Sequence, residues 1–181
     1  MSRRLPEQLS DGVVRIRRPN LGDATAVFAA VDASRPELER WMPWCTSGYS
    51  VADAEAWIMA SAIAWPHGAE CPFVIERCAD DLLVGSSGVS SLGPFDASYE
   101  LGYWVRSDCA GQGIARRAAR LAAQFAFEQL GAGRIGILVA VDNVASRRVA
   151  EALGAQEEGV LRSRVLLQGV RHDVVSYGLL P

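Results

Sequence analysis

Two glycines two residues apart, Gly111 and Gly113, stand near the head of the stretch CAGQGIARRAARLAAQFAF (109–127), and Arg116, Arg117 and Arg120 follow on the same stretch. The chemistry that this spacing suits is anion binding. The first turn of a helix has backbone N–H groups without intrahelical partners, and the helix dipole adds partial positive charge there. Glycine lets a phosphate approach the backbone with no Cβ in the way. Gly111, Gln112, Gly113, Ile114 and Ala115 would supply the N–H groups, with the arginines as added charge nearby. The stretch is no Walker loop, since no Gly-Lys-Ser/Thr follows, and no dinucleotide fingerprint, since Gly-x-Gly-x-x-Gly fails at Arg116. On these residues alone, a plain tight turn before a solvated arginine face stands beside the anion site.

Other reactive residue types are sparse. Cys45, Cys71, Cys78 and Cys109 are scattered without Cys-x-x-Cys spacing, and His67 and His172 lie far apart, so neither a disulfide framework nor a zinc site is expected. Cys109 precedes a helix N-terminus, a place that can activate a thiol, but no histidine base accompanies it. The chain has 181 residues, half of them apolar and 22% charged, with a net charge of -3. That composition suits one globular domain, 1–181, and argues against bulk binding to nucleic acid or an anionic membrane. The opening MSRRLPEQLSDG has no apolar core after its arginines, and no run of about 18 apolar residues occurs, so neither a signal peptide nor a membrane span is expected. A cytoplasmic location follows as an expectation.

The elements that must position these residues are readable from periodicity. VVRIRRP alternates as a strand, and Asp23 opens a helix. SRPELERWMPWC reads as a short helix ending in an aromatic-proline loop, and SVADAEAWIMASAIAW as a longer helix stopped by Pro66 and Gly68. Three strands follow at 71–78, 82–92 and 98–106, joined by turns at Asp80-Asp81 and Pro94-Phe95-Asp96, an antiparallel meander. The glycine stretch becomes a helix over 112–129, with Ile114, Ala118, Leu121, Ala122 and Phe125 on one face. RIGILVAV reads as a buried strand parallel to the one before the helix. Asn143 caps the helix NVASRRVAEALG, and two strands at 156–167 and 170–179 close the chain through Gln168-Gly169. The fold class is mixed α/β: a mostly antiparallel central sheet of six to seven strands flanked by helices.

Several segments fall in the order of a known family. ELGYWVRSDCAGQGIARRA resembles motif A of the GCN5-related N-acetyltransferases, and VDNVASRRVAEALGAQEEGVLR resembles the motif that follows it. ELERWMPW and GVRHDVVSYGLL are similar to the RimJ/RimL-type branch, which acetylates the N-termini of ribosomal proteins. The resemblance covers nearly the whole chain. It implies an acetyl-CoA site with no metal. The pyrophosphate would rest on the N–H groups of 111–115 with Arg116 beside them. The pantetheine arm would run along Trp104 and Val105, where two parallel strands splay apart and leave amide groups for it to satisfy. Asn143 would contact the pantetheine, and Arg147 and Arg148 stand near enough in sequence to reach phosphates. The family's turn begins with Gln or Arg, where this chain has Ala110. Because backbone N–H groups make the cradle, binding is expected to survive, with Arg116 or Arg117 compensating.

Acetyl transfer needs a neutral amine, a proton for the leaving thiolate and a donor to the carbonyl oxygen. Glu100 matches a glutamate of the RimL-like branch and is the expected base, through water, or the anchor of the cationic amine. Ala150 stands where many relatives carry an acidic tyrosine. The resemblance therefore passes thiolate protonation to Ser146, which shares a helix face with Asn143. The matching loop puts Trp41 and Trp44 at the acceptor pocket, while Tyr103 reads as packing. The expected function is acetyl transfer from acetyl-CoA to a primary amine, either a protein N-terminus or a small molecule. A non-catalytic CoA-sensing module, another acyl donor such as succinyl-CoA, and a phosphate-binding protein unrelated to CoA are the alternatives. Homodimerisation is a family-level expectation.

Overall fold

The computed structural model describes residues 5–93 and 96–181. The first four residues and the Pro94-Phe95 part of the expected turn lie outside the described residues. Eight strands form one sheet in the order β1-β2-β3-β4-β5-β6-β8-β7. They are β1 (Gln8–Ser10), β2 (Val14–Arg17), β3 (Glu70–Arg77), β4 (Leu82–Ser91), β5 (Ser98–Val105), β6 (Arg134–Ala140), β7 (Gln156–Leu167) and β8 (Val170–Leu179). The sequence reading expected six to seven. It lacked β1, whose three residues are too few to show a period. All neighbours pair antiparallel except β5 and β6, which run parallel.

Helices α1 (Ala24–Asp32), α2 (Arg35–Trp41) and α3 (Val51–Ala64) cover one face, and α4 (Ile114–Phe125) and α5 (Val144–Ala152) the other. Asp23 does not cap α1. Its carboxylate accepts from the Asn20 amide in a capping box around a short turn at Leu21–Asp23, and it pairs with Arg17. Helix α4 begins two residues later than expected, because Gly113 sits in the left-handed region at φ 77°, outside helical geometry. Its five expected core positions are all buried. They pack on β2, β4 and β5, with Phe125 edge-on to Phe73 at 5.1 Å between ring centres.

The parallel pair positions the site. β5 and β6 are in register only at Ser98↔Arg134, Tyr99↔Ile135 and Glu100↔Gly136. Beyond Glu100, residues 101–105 stay paired with β4, and 137–140 with β8, but not with each other. The sheet therefore opens in its middle. The unpartnered backbone edges that face this opening are groups that an interior must satisfy in another way. The β7–β8 hairpin turns at Gln168 and Gly169, both with positive φ, and the Gln168 amide donates to the Glu39 carbonyl of α2 at 2.7 Å, tying the hairpin tip to the other side of the molecule.

Candidate active site

At the end of β5 the chain passes through a single turn and reaches Gly111 (φ 74°) and Gly113 (φ 77°). A Cβ at either would meet nothing within 4 Å, so it is the backbone conformation, not crowding, that calls for glycine. No side chain caps α4. The N–H groups of 111–115 are thus left for solvent or an anion. Arg116 is exposed beside them. Arg117 turns away to pair with Asp11 at 2.7 Å, so it does not supply the compensating charge expected of it. Arg147 is likewise committed, donating to the Tyr177 hydroxyl at 3.0 Å and pairing with Glu157. Arg148 is exposed on α5. Cys109 is buried at 3% exposure, and burial and its hydrogen bond with Asp108 push its thiol pKa up, which leaves it an unreactive thiol.

A cavity of about 850 Å³ occupies the opening between β5 and β6. It brings together Trp41, Trp44, Glu100, Trp104, Asn143 and Ser146. Val105, the turn residues 111–115, Arg116 and Arg148 do not line it; Val105 packs on the core beneath α4. On β5 the even positions Glu100, Gly102 and Trp104 share one face, where Trp104 joins the α1–α3 core. Tyr103 points to the other face. The strand opening therefore lets groups from both sides of the sheet meet in one space, which a continuous sheet would keep apart.

The α5 side of the cavity is held by a short hydrogen-bond chain. Asn143 caps α5 by accepting from the Ser146 N–H at 3.1 Å. The Ser146 hydroxyl donates to the Tyr103 hydroxyl at 3.2 Å, and Tyr103 donates to the Ser146 carbonyl at 3.0 Å. Burial pushes the Tyr103 pKa up to about 12, so it keeps its proton throughout the neutral range. Tyr103, expected to pack, is instead a hydrogen-bonding partner of Ser146. It stands 43 residues from Ser146, and no local spacing announces a contact that only the sheet opening creates.

The α2–α3 side is aromatic. Trp44 lies 5.5 Å from Tyr49 and 6.0 Å from Trp104 between ring centres, and Trp57 joins them along the lining. Arg40 sits over the Trp41 ring at 4.6 Å. The charged lining groups are Asp53, Glu70, Glu100 and Arg164. Sequence reading named only Glu100 of these. Asp53 sits in the capping box of α3 with Ser50, and Glu70 and Arg164 come from strands distant in sequence.

Among the described residues, no helix is long and apolar enough to cross a membrane, and no group of acidic, histidine or cysteine side chains is gathered to hold a metal. The family profile described as "Acetyltransferase (GNAT) domain" matches residues 14–156. YdaF of Bacillus subtilis (strain 168), which bears a ribosomal N-acetyltransferase name, is 38% identical over 56% of this chain and 55% of that protein, so the chain spans about half the length of this relative. RimJ of Mycobacterium smegmatis, solved in complex with CoA-disulfide, superposes with a TM-score of 0.83 at 28% identity over 93% of this chain and 82% of that one. The ribosomal-protein-S5-alanine acetyltransferase of Vibrio fischeri shares the fold, with a TM-score of 0.88 at 20% identity over 96% of each chain. The profile match, the sheet split at its one parallel pair and the glycine turn beyond it agree, and the chain belongs to the GNAT acetyltransferase family, in its RimJ/RimL-like branch.

Proposed function

We propose that this protein transfers an acyl group, acetyl first of all, from acyl-CoA directly to a primary amine. The observation that carries the reading is the open β5–β6 pair. It leaves backbone donors and acceptors for an amide-bearing arm, has an uncapped glycine turn at its outer end, and is lined by Glu100 and Ser146. The residues fit acyl-CoA on their chemistry: N–H groups of 111–115 and Arg116 for phosphates, and the unpaired backbone edge at Trp104 and Val105 with Asn143 for the arm. Acyl-CoA supplies the activated thioester; the rest of the chemistry falls to this chain.

Glu100 binds the arriving ammonium and takes its proton, directly or through water, because an ammonium has no lone pair to attack with. Backbone N–H groups on the open edge of β5 stabilise charge on the carbonyl oxygen. Ser146 relays to the departing thiolate the second proton that the nitrogen sheds as the amide forms, its hydroxyl giving one proton and gaining the other, so the serine ends neutral. For that it must turn from Tyr103, breaking a hydrogen bond that at 3.2 Å is long for two hydroxyls. Tyr103 remains anchored on the Ser146 carbonyl and receives the hydroxyl back. The acceptor amine belongs to a protein N-terminus or to a small molecule, in keeping with the ribosomal N-acetyltransferase names among its relatives.

Arg164 favours a second reading of the donor. A guanidinium in the cavity wall is the group that would recognise a carboxylated acyl chain such as succinyl. The test of both is thiol release from acetyl-CoA and succinyl-CoA against short peptides, polyamines and aminoglycosides. Amine-dependent release with either donor, falling at least about 100-fold in Glu100→Gln, supports the transferase. Tight acyl-CoA binding by calorimetry with no release would identify a CoA-sensing module instead.

A further inference from the structure

Four of the chain's five tryptophans, Trp41, Trp44, Trp57 and Trp104, line the one cavity; the fifth, Trp65, is in the core. None of the four is fully buried, and Trp44 is 43% exposed. Their rings therefore keep surface that packing does not use, which is costly unless a ligand covers it. Aromatic faces attract cations. The charges of the cavity agree. Glu70 and Glu100 both pair with Ser90, from β3 and from β5, so the two carboxylates stand in one row on one face. Two strand spacings separate their backbones, roughly 10 Å. Asp53 adds a third carboxylate, engaged by the Ser50 amide and hydroxyl. The cation, Arg164, is on β7, at the far edge of the sheet order from β3. The cavity is thus acidic at its β3–β5 end, under the aromatic wall.

The next row on that face is Pro72, Gly88 and Gly102. A Cβ on Gly102 would meet nothing within 4 Å, so the floor between the carboxylate row and Trp104 has no side chain at β5. That vacancy is room for the body of an acceptor whose reacting nitrogen lies at Glu100.

Resting on the transferase reading above, we propose that the acceptor is an amine carrying a second positive charge on an apolar spacer. Glu70, across Ser90 from Glu100, takes the second cation under the tryptophan wall, Gly102 leaves room in the next row for the body of the acceptor, and an amine with an anionic far end is rejected. The test uses three amines of one chain length, hexamethylenediamine, hexylamine and ε-aminocaproate, whose far ends are positive, neutral and negative. The diamine should exceed hexylamine in kcat/KM by about tenfold, the worth of one partly screened charge contact, and ε-aminocaproate should fall below both. Glu70→Gln should narrow the ratio of diamine to hexylamine. Gly102→Val should lower kcat/KM for every amine while calorimetric acyl-CoA binding and the thermal melt stay as in the parent protein. Equal kcat/KM for the three amines overturns the proposal, and so does an unchanged ratio in Glu70→Gln. Absence of thiol release with all three while short peptides still give release overturns this proposal alone; absence of release with every amine and peptide, with acyl-CoA bound, overturns the transferase reading as well.

Discussion

Ser146 and Tyr103 hold each other by two hydrogen bonds across the sheet opening, and the residue-scale predictions turn on that pair. Ser146→Ala removes the proton donor and should lower kcat by about 100-fold. Tyr103→Phe leaves the serine in place but unoriented, with an expected loss of about tenfold. The double variant should be no worse than Ser146→Ala, since Tyr103 acts through the serine. Steady-state kinetics decide this. Fully additive losses would mean that Tyr103 has a role of its own, and an unchanged pH profile in Tyr103→Phe with only a lower melting temperature would mean that it merely packs. The contact of Ser146 with Asn143 was legible in the sequence because the two share a turn of helix, whereas the proton-donor role came from the family resemblance alone. Tyr103 was not legible, since odd positions of a half-buried strand carry packing residues far more often than polar partners.

At the scale of elements, two helix starts do different work. Helix α5 is capped by a side chain, and Asn143→Ala should cost about 1 kcal/mol, a drop of a few degrees in Tm, while Asn143→Ser should recover most of it. Helix α4 is uncapped, and its start is set by Gly113 in the left-handed region. Gly113→Ala finds space for its Cβ, so its cost is conformational, about 1 kcal/mol. The same change disturbs the N–H groups of 111–115, so acyl-CoA binding by calorimetry should weaken in Gly113→Ala, and unchanged binding would mean that the turn holds no phosphate. Periodicity located both helices, but it extended α4 back over Gln112, because a repeat of apolar positions carries no mark of the left-handed residue that ends it. The distant pairings were beyond it: nothing in ARRAAR says that Arg117 will turn back to Asp11.

Across the whole molecule, the buried charges sit away from the cavity. Arg17 pairs with both Asp23 (8% exposed) and Glu76 (6% exposed), and Arg15 reaches Glu76 from the same strand. Burial pushes the Asp23 carboxyl pKa up, but hydrogen bonds from Arg17 and Asn20 outweigh it and hold the group below the usual carboxylate range. A carboxyl lowered by folding stabilises the native state in full above its unfolded pKa of about 3.9 and loses that contribution as pH falls through the lower folded value. Urea melts should therefore show stability falling below about pH 4. Arg17→Met strands the buried Asp23 carboxylate and leaves Glu76 to Arg15 alone, and should cost about 3 kcal/mol at neutral pH, with a flatter acid limb. An unchanged acid limb in that variant would place the sensitivity elsewhere. The alternating VRIR of β2 announced a strand with one polar face, yet not that its arginines would be half-covered and hold two buried carboxylates, which come from the turn before α1 and from β3, the latter far along the chain.

The sequence by itself determined the elements, their order but for the three-residue β1, and the glycine turn before α4, because periodicity, caps and positive-φ residues act over a few neighbouring positions. It also made the family resemblance visible, since the motifs fall in order along the chain. Only the tertiary structure decided where β5 and β6 part company, and with it which residues share the cavity. Strand register is a balance of pairings between segments far apart. It is that balance, and no local signal, that brought Tyr103 to Ser146, set Glu70 in line with Glu100, and turned four scattered tryptophans toward one space.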